Sequence, residues 1–589
     1  VLFHKAMLLE HMGKHGDAII DYDKALKIIP NYVDALHHKG LLLERLGKHG
    51  DAILCYDKAL KAIPDNYDIL FRKGMLLARF GKHGDAIVCY DDALKIKPNN
   101  FDILFQKGLV LEYLGNYKDA IKCYDKAIEN NPQHTEALLH KGLALSSIQE
   151  YELAIKLFNQ VLSNIPNHIL ALFNKGLTFG KLGLNDDAIR CFDRVLSIDD
   201  NHVLSLLHKG LTLSHLKKFN DAIQCFNKVL ELESHNILAL VNKANSLVNL
   251  GVIDDAISFY DKALKINPEN IEALYNKAIA LSNCSKYEKA IHGFDKIIEI
   301  DPRNRNAIYN KGLALAELAN YPMAQACFDK AYELEPDTLE PLIQKGLIFS
   351  KLRNHKEAIA SFNYILEHEP ENFTALFYKG KSLLAVGQYE KALVLFDRSL
   401  KHEPSNVDVL LNKGQTFSIL GQYEKAVSCF NNVLDIEPEN SEALYNKANS
   451  LSTLGEYEKA IPLYDKALNI EPANVQILNG KAMTLHAICQ YEDAISCFDS
   501  ILSIQKDNPQ ILYRKAITVL KQGNVLGSIN ILRKIVEIDP VYKEILKKEI
   551  EFDRLKENPL FKEIIKEKTE FDKIDEDVFN INSKKIHNY

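Results

Sequence analysis

Residues 441–474 read SEALYNKANSLSTLGEYEKAIPLYDKALNIEPAN, and this stretch decides the fold. Leu444, Ala448 and Leu451 share one face of a helix at its 3.6-residue period. Gly455 follows, a residue that tolerates the positive φ of a helix end. Tyr457, Ala460, Ile461, Tyr464, Ala467 and Leu468 mark the inner face of a second helix, which Pro472 stops. Asn474 stands where the next helix needs an N-cap, and acids such as Glu442 and Asp408 occupy first turns, where they suit the helix dipole. The stretch therefore predicts helix, turn, helix.

Working outward, Lys447 becomes position 7 of a 34-residue unit, and a Lys recurs at that position from Lys5 to Lys515, sixteen times without insertion or deletion. The next residue is always Gly or Ala, as in Gly40, Gly74, Ala244 and Ala448. Position 20, where the two helices must cross closely, is Ala in fifteen of sixteen units, Ser528 alone departing. Position 24 carries Tyr or Phe everywhere except Leu532. Two such short helices cannot bury their apolar faces alone, so each hairpin must stack on its neighbours. The expected architecture is all-α: a right-handed α-solenoid superhelix of sixteen repeats over residues 1–540, numbered 1 to 16 below. A C-terminal capping helix is expected over 541–568, with Ile545, Ile550, Phe552, Leu555, Leu560, Phe561 and Ile564 apolar, and a charged, fraying tail over 569–589. Val1 falls at the third position of repeat 1, so a longer native chain is expected.

The frame Leu36-x2-Lys39-Gly40-x2-Leu43…Ala52-x3-Tyr56…Pro64 resembles the tetratricopeptide repeat, W-x2-L-G-x2-Y…A-x3-F…P. The departures are Leu for Trp, Lys for Leu and mostly Leu for Tyr at positions 4, 7 and 11. They resemble an Asn-Lys-Gly variant found in archaeal and bacterial members. The run from Glu551 to Phe561 resembles a segment that closes such arrays.

The resemblance implies that the first helix of each unit lines a concave groove with positions 2, 5, 6, 9, 12 and 13. Position 6 then carries Asn174, Asn242, Asn276, Asn310, Asn412 and Asn446, joined by Asn245, Asn249 and Asn283 in the middle and by Gln415 and Asn449 further on. A carboxamide both donates and accepts, and this series is similar to the asparagine ladder in the superhelix of O-linked N-acetylglucosamine transferase, which implies binding to the backbone of peptide segments. The competing reading is that Asn only solvates a partly exposed helix position. Position 5 supplies Phe71, Phe105, Phe173, Tyr275, Tyr309, Phe377 and Tyr445, expected to cover the core.

Other patterns point away from chemistry. Position 25 is acidic in eleven units, from Asp23 to Asp499, so the lysines are expected to pack their stems and to meet that acid or water with their ammonium groups rather than form a cationic ladder. Eight of ten cysteines share position 23. Stacked hairpins about 8–10 Å apart hold such residues beyond disulfide reach, and no C-x2-C pair suggests zinc. The His-Gly-Asp runs at His15, His49 and His83 fall at turns, and Gly380-Lys381-Ser382 lacks the first glycine of a phosphate loop, Ala375 standing there. No three consecutive repeats carry the Lys and Asn set of a chaperone-binding clamp.

The formal charge of −7, from 72 basic and 79 acidic side chains, exerts no pull towards nucleic acid or anionic lipid. No apolar run approaches the roughly 20 residues needed to span a bilayer. The expectation is a cytoplasmic, non-catalytic scaffold for protein or peptide partners, with no cofactor, metal, nucleic-acid or membrane partner. The alternative is the substrate-selecting arm of a larger enzyme, for example a glycosyltransferase, whose catalytic domain lies outside this chain.

Overall fold

A computed structural model describes residues 1–566; the expected tail at 569–589 lies outside them. The chain divides into two compact bodies, Val1–Pro302 and a second from Arg303 onward. Each is a solenoid of antiparallel helix pairs, and no strand occurs among the described residues. Helix A of a typical repeat occupies positions 1 to 13, as in Val33–Arg45, and helix B positions 17 to 30, as in His49–Ala62.

Local chemistry sets the boundaries. At position 34 a side chain caps helix A: the Asn66 amide oxygen accepts from the Ile69 N–H at 3.2 Å. In three repeats histidine replaces Asn and its Nδ1 accepts instead, from Ala137, Ala171 and Ser205. Repeat 11 lacks this cap, and its helix A starts one residue late, at Glu340, with Pro341 in the first turn. Position 15 is left-handed in all sixteen repeats, with Gly in ten and with Gln149, Lys217, Ser285, Ala319, Arg353 and Cys489 in the rest.

The core forms within and between adjacent hairpins. Leu36, Leu43, Ala52, Tyr56 and Ala59 of repeat 2 pack with Ile69 and Leu76 of repeat 3. The aromatic ring at position 24 packs closely against helix A at position 8. A Cβ on Gly40 would fall 2.5 Å from the Tyr56 ring, which is why position 8 stays small. The position 5 rings cover this core as expected: Phe71 packs on Tyr90, Phe105 on Tyr124 and Tyr445 on Tyr464, with centroids 6.1, 6.1 and 6.4 Å apart. Within each body consecutive helices A touch one another, whereas consecutive helices B have no comparable contact. In each body the helices A therefore make a wall, and furrows open between helices B.

The capping segment differs from the expected single helix. It forms a helix at Tyr542–Lys548, a 3₁₀ turn at Ile550–Leu555 and a helix at Pro559–Ile565. Glu549 is extended, and so is Asn558 ahead of Pro559, a residue that disfavours helix before it. Helical periodicity consequently fails across these breaks. Leu546, Phe552, Leu555, Phe561 and Ile564 close over Leu512, Leu520 and Leu532 of repeat 16, while Ile545, Ile550 and Leu560 face solvent.

Candidate functional site

The helix-A wall is registered by polar contacts between neighbouring repeats. Gln415 Nε2 at position 9 donates to Glu442 Oε1 at position 2 of the next repeat, at 2.7 Å. His37 at position 5 lies 3.2 Å from Asp68 at position 2. Within each body, position 2 of a repeat thus sits beside positions 5 and 9 of the repeat before it.

The amides singled out in the sequence lie on this wall in different states. Asn174, Asn242, Asn310 and Asn412 are half-buried, and each donates Nδ2 to the carbonyl four residues earlier in its own helix, at 2.7–2.8 Å. Asn276 instead reaches back across the repeat boundary to Asn245 Oδ1 at 3.1 Å, and the same oxygen accepts from the Tyr260 hydroxyl at 2.5 Å. Asn449 Oδ1 accepts likewise from Tyr464 at 2.6 Å. Asn249 and Asn283 are exposed, the former donating to Asn245 O, and Asn446 is half-buried. The structure brings together Asn245, Asn276 and Tyr260, and pairs Asn449 with Tyr464. The remaining amides are set apart along the wall.

Two sets of wall residues escaped sequence reasoning. The hydroxyl of Tyr at position 24 needs an acceptor. In repeats 1, 2 and 4 this is a Glu at position 12: Tyr22 donates to Glu10, Tyr56 to Glu44 and Tyr124 to Glu112 at 2.6–3.1 Å. His140 of repeat 5 shares Glu112. Burial raises the tyrosine pKa values, to about 12 at Tyr464. Tyr90 of repeat 3 faces Ala78 at that position, and its buried hydroxyl has no protein partner. In later repeats position 12 is often Ser, and it meets a buried hydroxyl at position 10 of the next repeat. Ser146 pairs with Thr178, Ser214 with Ser246, Ser350 with Ser382, Ser418 with Ser450 and Ser452 with Thr484, at 2.8–3.3 Å. His486 and Thr518 repeat the contact. Each pair is 32 residues apart, a spacing visible in the sequence once the register is known.

The position 7 lysines do not line this wall. Most of them bridge to the position 25 Asp of the preceding repeat, as in Lys277–Asp261 and Lys481–Asp465 at 2.6 Å. Where position 25 is Asn, as at Asn227, Asn363 and Asn431, burial lowers the pKa of Lys243, Lys379 and Lys447. At Lys73, Lys209 and Lys481 burial works the same way, and the carboxylate bond overrides it and raises the pKa. The acid of position 25 is thus the partner in most repeats and is absent where Asn replaces it. None of the ten cysteines is held in a disulfide, and seven of the eight at position 23 are buried. Among the described residues no three His, Cys, Asp or Glu side chains converge as a metal site requires, and no helix is long and apolar enough to cross a membrane.

Stacked hairpins with a helix-A wall define a helical-repeat protein. Sequence models of the tetratricopeptide repeat match residues 1–32, 38–101, 105–169, 169–202, 204–236, 237–270, 259–292, 306–338, 343–407, 383–449 and 441–474, together well over half of the chain. The chain belongs to the tetratricopeptide-repeat family. No curated protein has a sequence that matches it. Among solved structures it is similar to yeast Tom70, at 20% identity over 68% of this chain and 91% of that one, with a TM-score of 0.33. It is also similar to YrrB, described as a TPR protein with an unusual peptide-binding site, at 22% identity over 32% of this chain and 97% of that one, with a TM-score of 0.29. A tetratricopeptide repeat protein from Parabacteroides merdae shares 18% identity over 44% of this chain and 98% of that one, with a TM-score of 0.35.

Proposed function

We propose that the chain is a non-catalytic scaffold that holds peptide segments of partner proteins along the wall of its helices A. One observation carries the reading. Asn174 and Asn242 are half-buried on the wall and spend one N–H each on their own helix. A carboxamide has two N–H donors and an accepting oxygen, so each keeps a donor and an acceptor for the backbone of a bound chain. Asn276 adds a third amide in the same body. Contact through backbone groups gives affinity with little dependence on side chains, which suits a scaffold.

The test is a displayed library of random peptides selected on the purified chain, followed by binding of the selected peptides to an Asn174→Ala, Asn242→Ala, Asn276→Ala variant. Weaker binding by a variant with unchanged helicity is expected. Selected peptides that bind the variant as well as the parent would show that these amides hold nothing.

A further inference from the structure

Position 2 of helix A is polar in repeats 2 to 5 and 9 to 16 and leucine in repeats 6, 7 and 8. Leu170, Leu204 and Leu238 are 48%, 52% and 53% exposed, at successive steps of the wall and all within the first body. The register that sets Gln415 beside Glu442 also sets half-buried Leu143, Leu177 and Leu211, at position 9, beside these three. The result is an apolar strip in which position 2, polar in the other repeats, is also apolar. Just ahead of it, position 2 is acidic. Asp68 lies beside His37 and Arg72, which leaves Asp102 and Glu136 as two successive exposed carboxylates on this side of the leucines, against the single Glu272 of repeat 9 on the other.

Geometry selects the conformation of an occupant. Packed helices stand about 8–10 Å apart, so equivalent side chains on this wall recur at that distance. In a β-strand side chains alternate between faces, so every third residue points the wrong way. A polyproline-II segment has three residues per turn and a rise of about 3.1 Å, or roughly 9.3 Å per turn, and places every third residue on one side. It has no internal hydrogen bonds, so its backbone groups can meet the amides of Asn174 and Asn242.

We propose that the wall of repeats 4 to 8 takes a polyproline-II segment of a partner protein that presents two basic residues and then three aliphatic residues, one per turn. The cations sit on Asp102 and Glu136, and the aliphatic side chains sit on Leu170, Leu204 and Leu238. This rests on the reading of the wall as a peptide-binding surface and adds the chemistry of the peptide.

The experiment uses the full chain and fluorescein-labelled synthetic peptides read by anisotropy. One peptide carries Arg at two successive third positions and Leu at the next three, with proline and serine between. A second has the Arg and Leu blocks in the opposite order, a third has Glu for Arg, and a fourth has Gly for every Pro. One of the two orders of the Arg and Leu peptide is expected to bind, at least ten-fold tighter than the Glu peptide and several-fold tighter than the Gly peptide. Leu170→Asn, Leu204→Asn, Leu238→Asn should weaken it about ten-fold or more, since each leucine has about half its surface still to bury. Asp102→Asn, Glu136→Gln should weaken it and flatten its salt dependence. All these positions are exposed, and helicity checks the fold. Leucine variants that bind like the parent, or a Glu peptide that binds as well, would overturn the proposal. If library-selected peptides of other composition still depend on Asn174, Asn242 and Asn276, the wall reading survives that failure; if none does, both fall.

Discussion

Asn431→Asp should convert an unpaired lysine into a paired one. Asn431 and Lys447 line the same furrow of about 460 Å³ between helices B of repeats 13 and 14. One repeat further on, Asp465 holds Lys481 at 2.6 Å, with 22% of the lysine side chain and 49% of the carboxylate exposed. Burial lowers the Lys447 pKa, whereas Lys481, buried to a similar degree, is raised by its partner. The new carboxylate of Asn431→Asp should therefore lift Lys447 above its ordinary value. Solvent reaches the carboxylate, so the pair should add only about 0.5–1 kcal/mol of local stability.

The sign differs between the two forms. With Asn431, Lys447 is protonated in both states below its folded pKa, and folding bears the cost of burying the charge. That cost fades as pH rises towards the unfolded value near 10.4. In the Asn431→Asp variant the contribution is favourable below the unfolded pKa and is lost as pH climbs through the raised folded value. The assay is competitive acetylation of amines at pH 8 with mass-spectrometric readout per lysine. A pKa rise of one unit cuts the reactive free-base fraction about ten-fold. Labelling of Lys447 should fall in Asn431→Asp, and labelling of Lys481 should rise in Asp465→Asn. Unchanged labelling in both would refute the argument that the position 25 carboxylate sets the lysine charge state.

Ala78→Glu should give the Tyr90 hydroxyl the acceptor that Tyr22, Tyr56 and Tyr124 possess, raising stability by about 1 kcal/mol in calorimetry, with no gain in a Tyr90→Phe background. Lys217→Gly or Arg353→Gly, both at left-handed positions, should relieve strain and stabilise by about 1 kcal/mol each, seen as slower amide exchange in the flanking helices. Gly108→Leu puts a large side chain where even a Cβ would fall 2.5 Å from the Tyr124 ring and should cost about 1–3 kcal/mol, read as a lower midpoint of thermal unfolding, whereas Ala, which faces a tyrosine at this position in Ala448 with Tyr464, should be tolerated. Phe552→Ala empties the centre of the cap packing and should cost about 3–5 kcal/mol, exposing residues 509–538 to exchange before the rest.

The sequence made the repeat, its helix ends and its core legible because each depends on spacing within one hairpin. Ala at 20, a ring at 24 and a small residue at 8 are short-range requirements, and the period displays each of them in at least fifteen of sixteen repeats. The lysine pairing was legible for the same reason, since Lys and Asp recur in fixed phase. Contacts along the wall were not. Ser146 with Thr178, or Gln415 with Glu442, depends on how one helix A is set against the next, and the period alone leaves that register open. The cap was misread because Ile545 to Ile564 match a helical pattern locally, while Glu549 and Pro559 interrupt the backbone that would carry it.

The register also separates structural amides from those available to a partner. Asn245 and Asn449 occur where position 24 is Tyr and position 12 is Val248 or Ser452, too short or too apolar to accept the hydroxyl. Their carbonyl oxygens are committed to Tyr260 and Tyr464, as glutamates are in repeats 1, 2 and 4. Loss of binding in Asn245→Ala would therefore report the core as much as the surface. Asn174 and Asn242 bond only within their own helices, and truncating them leaves no buried group unpaired. These are the amides through which a peptide-binding wall can be tested without disturbing the fold that builds it.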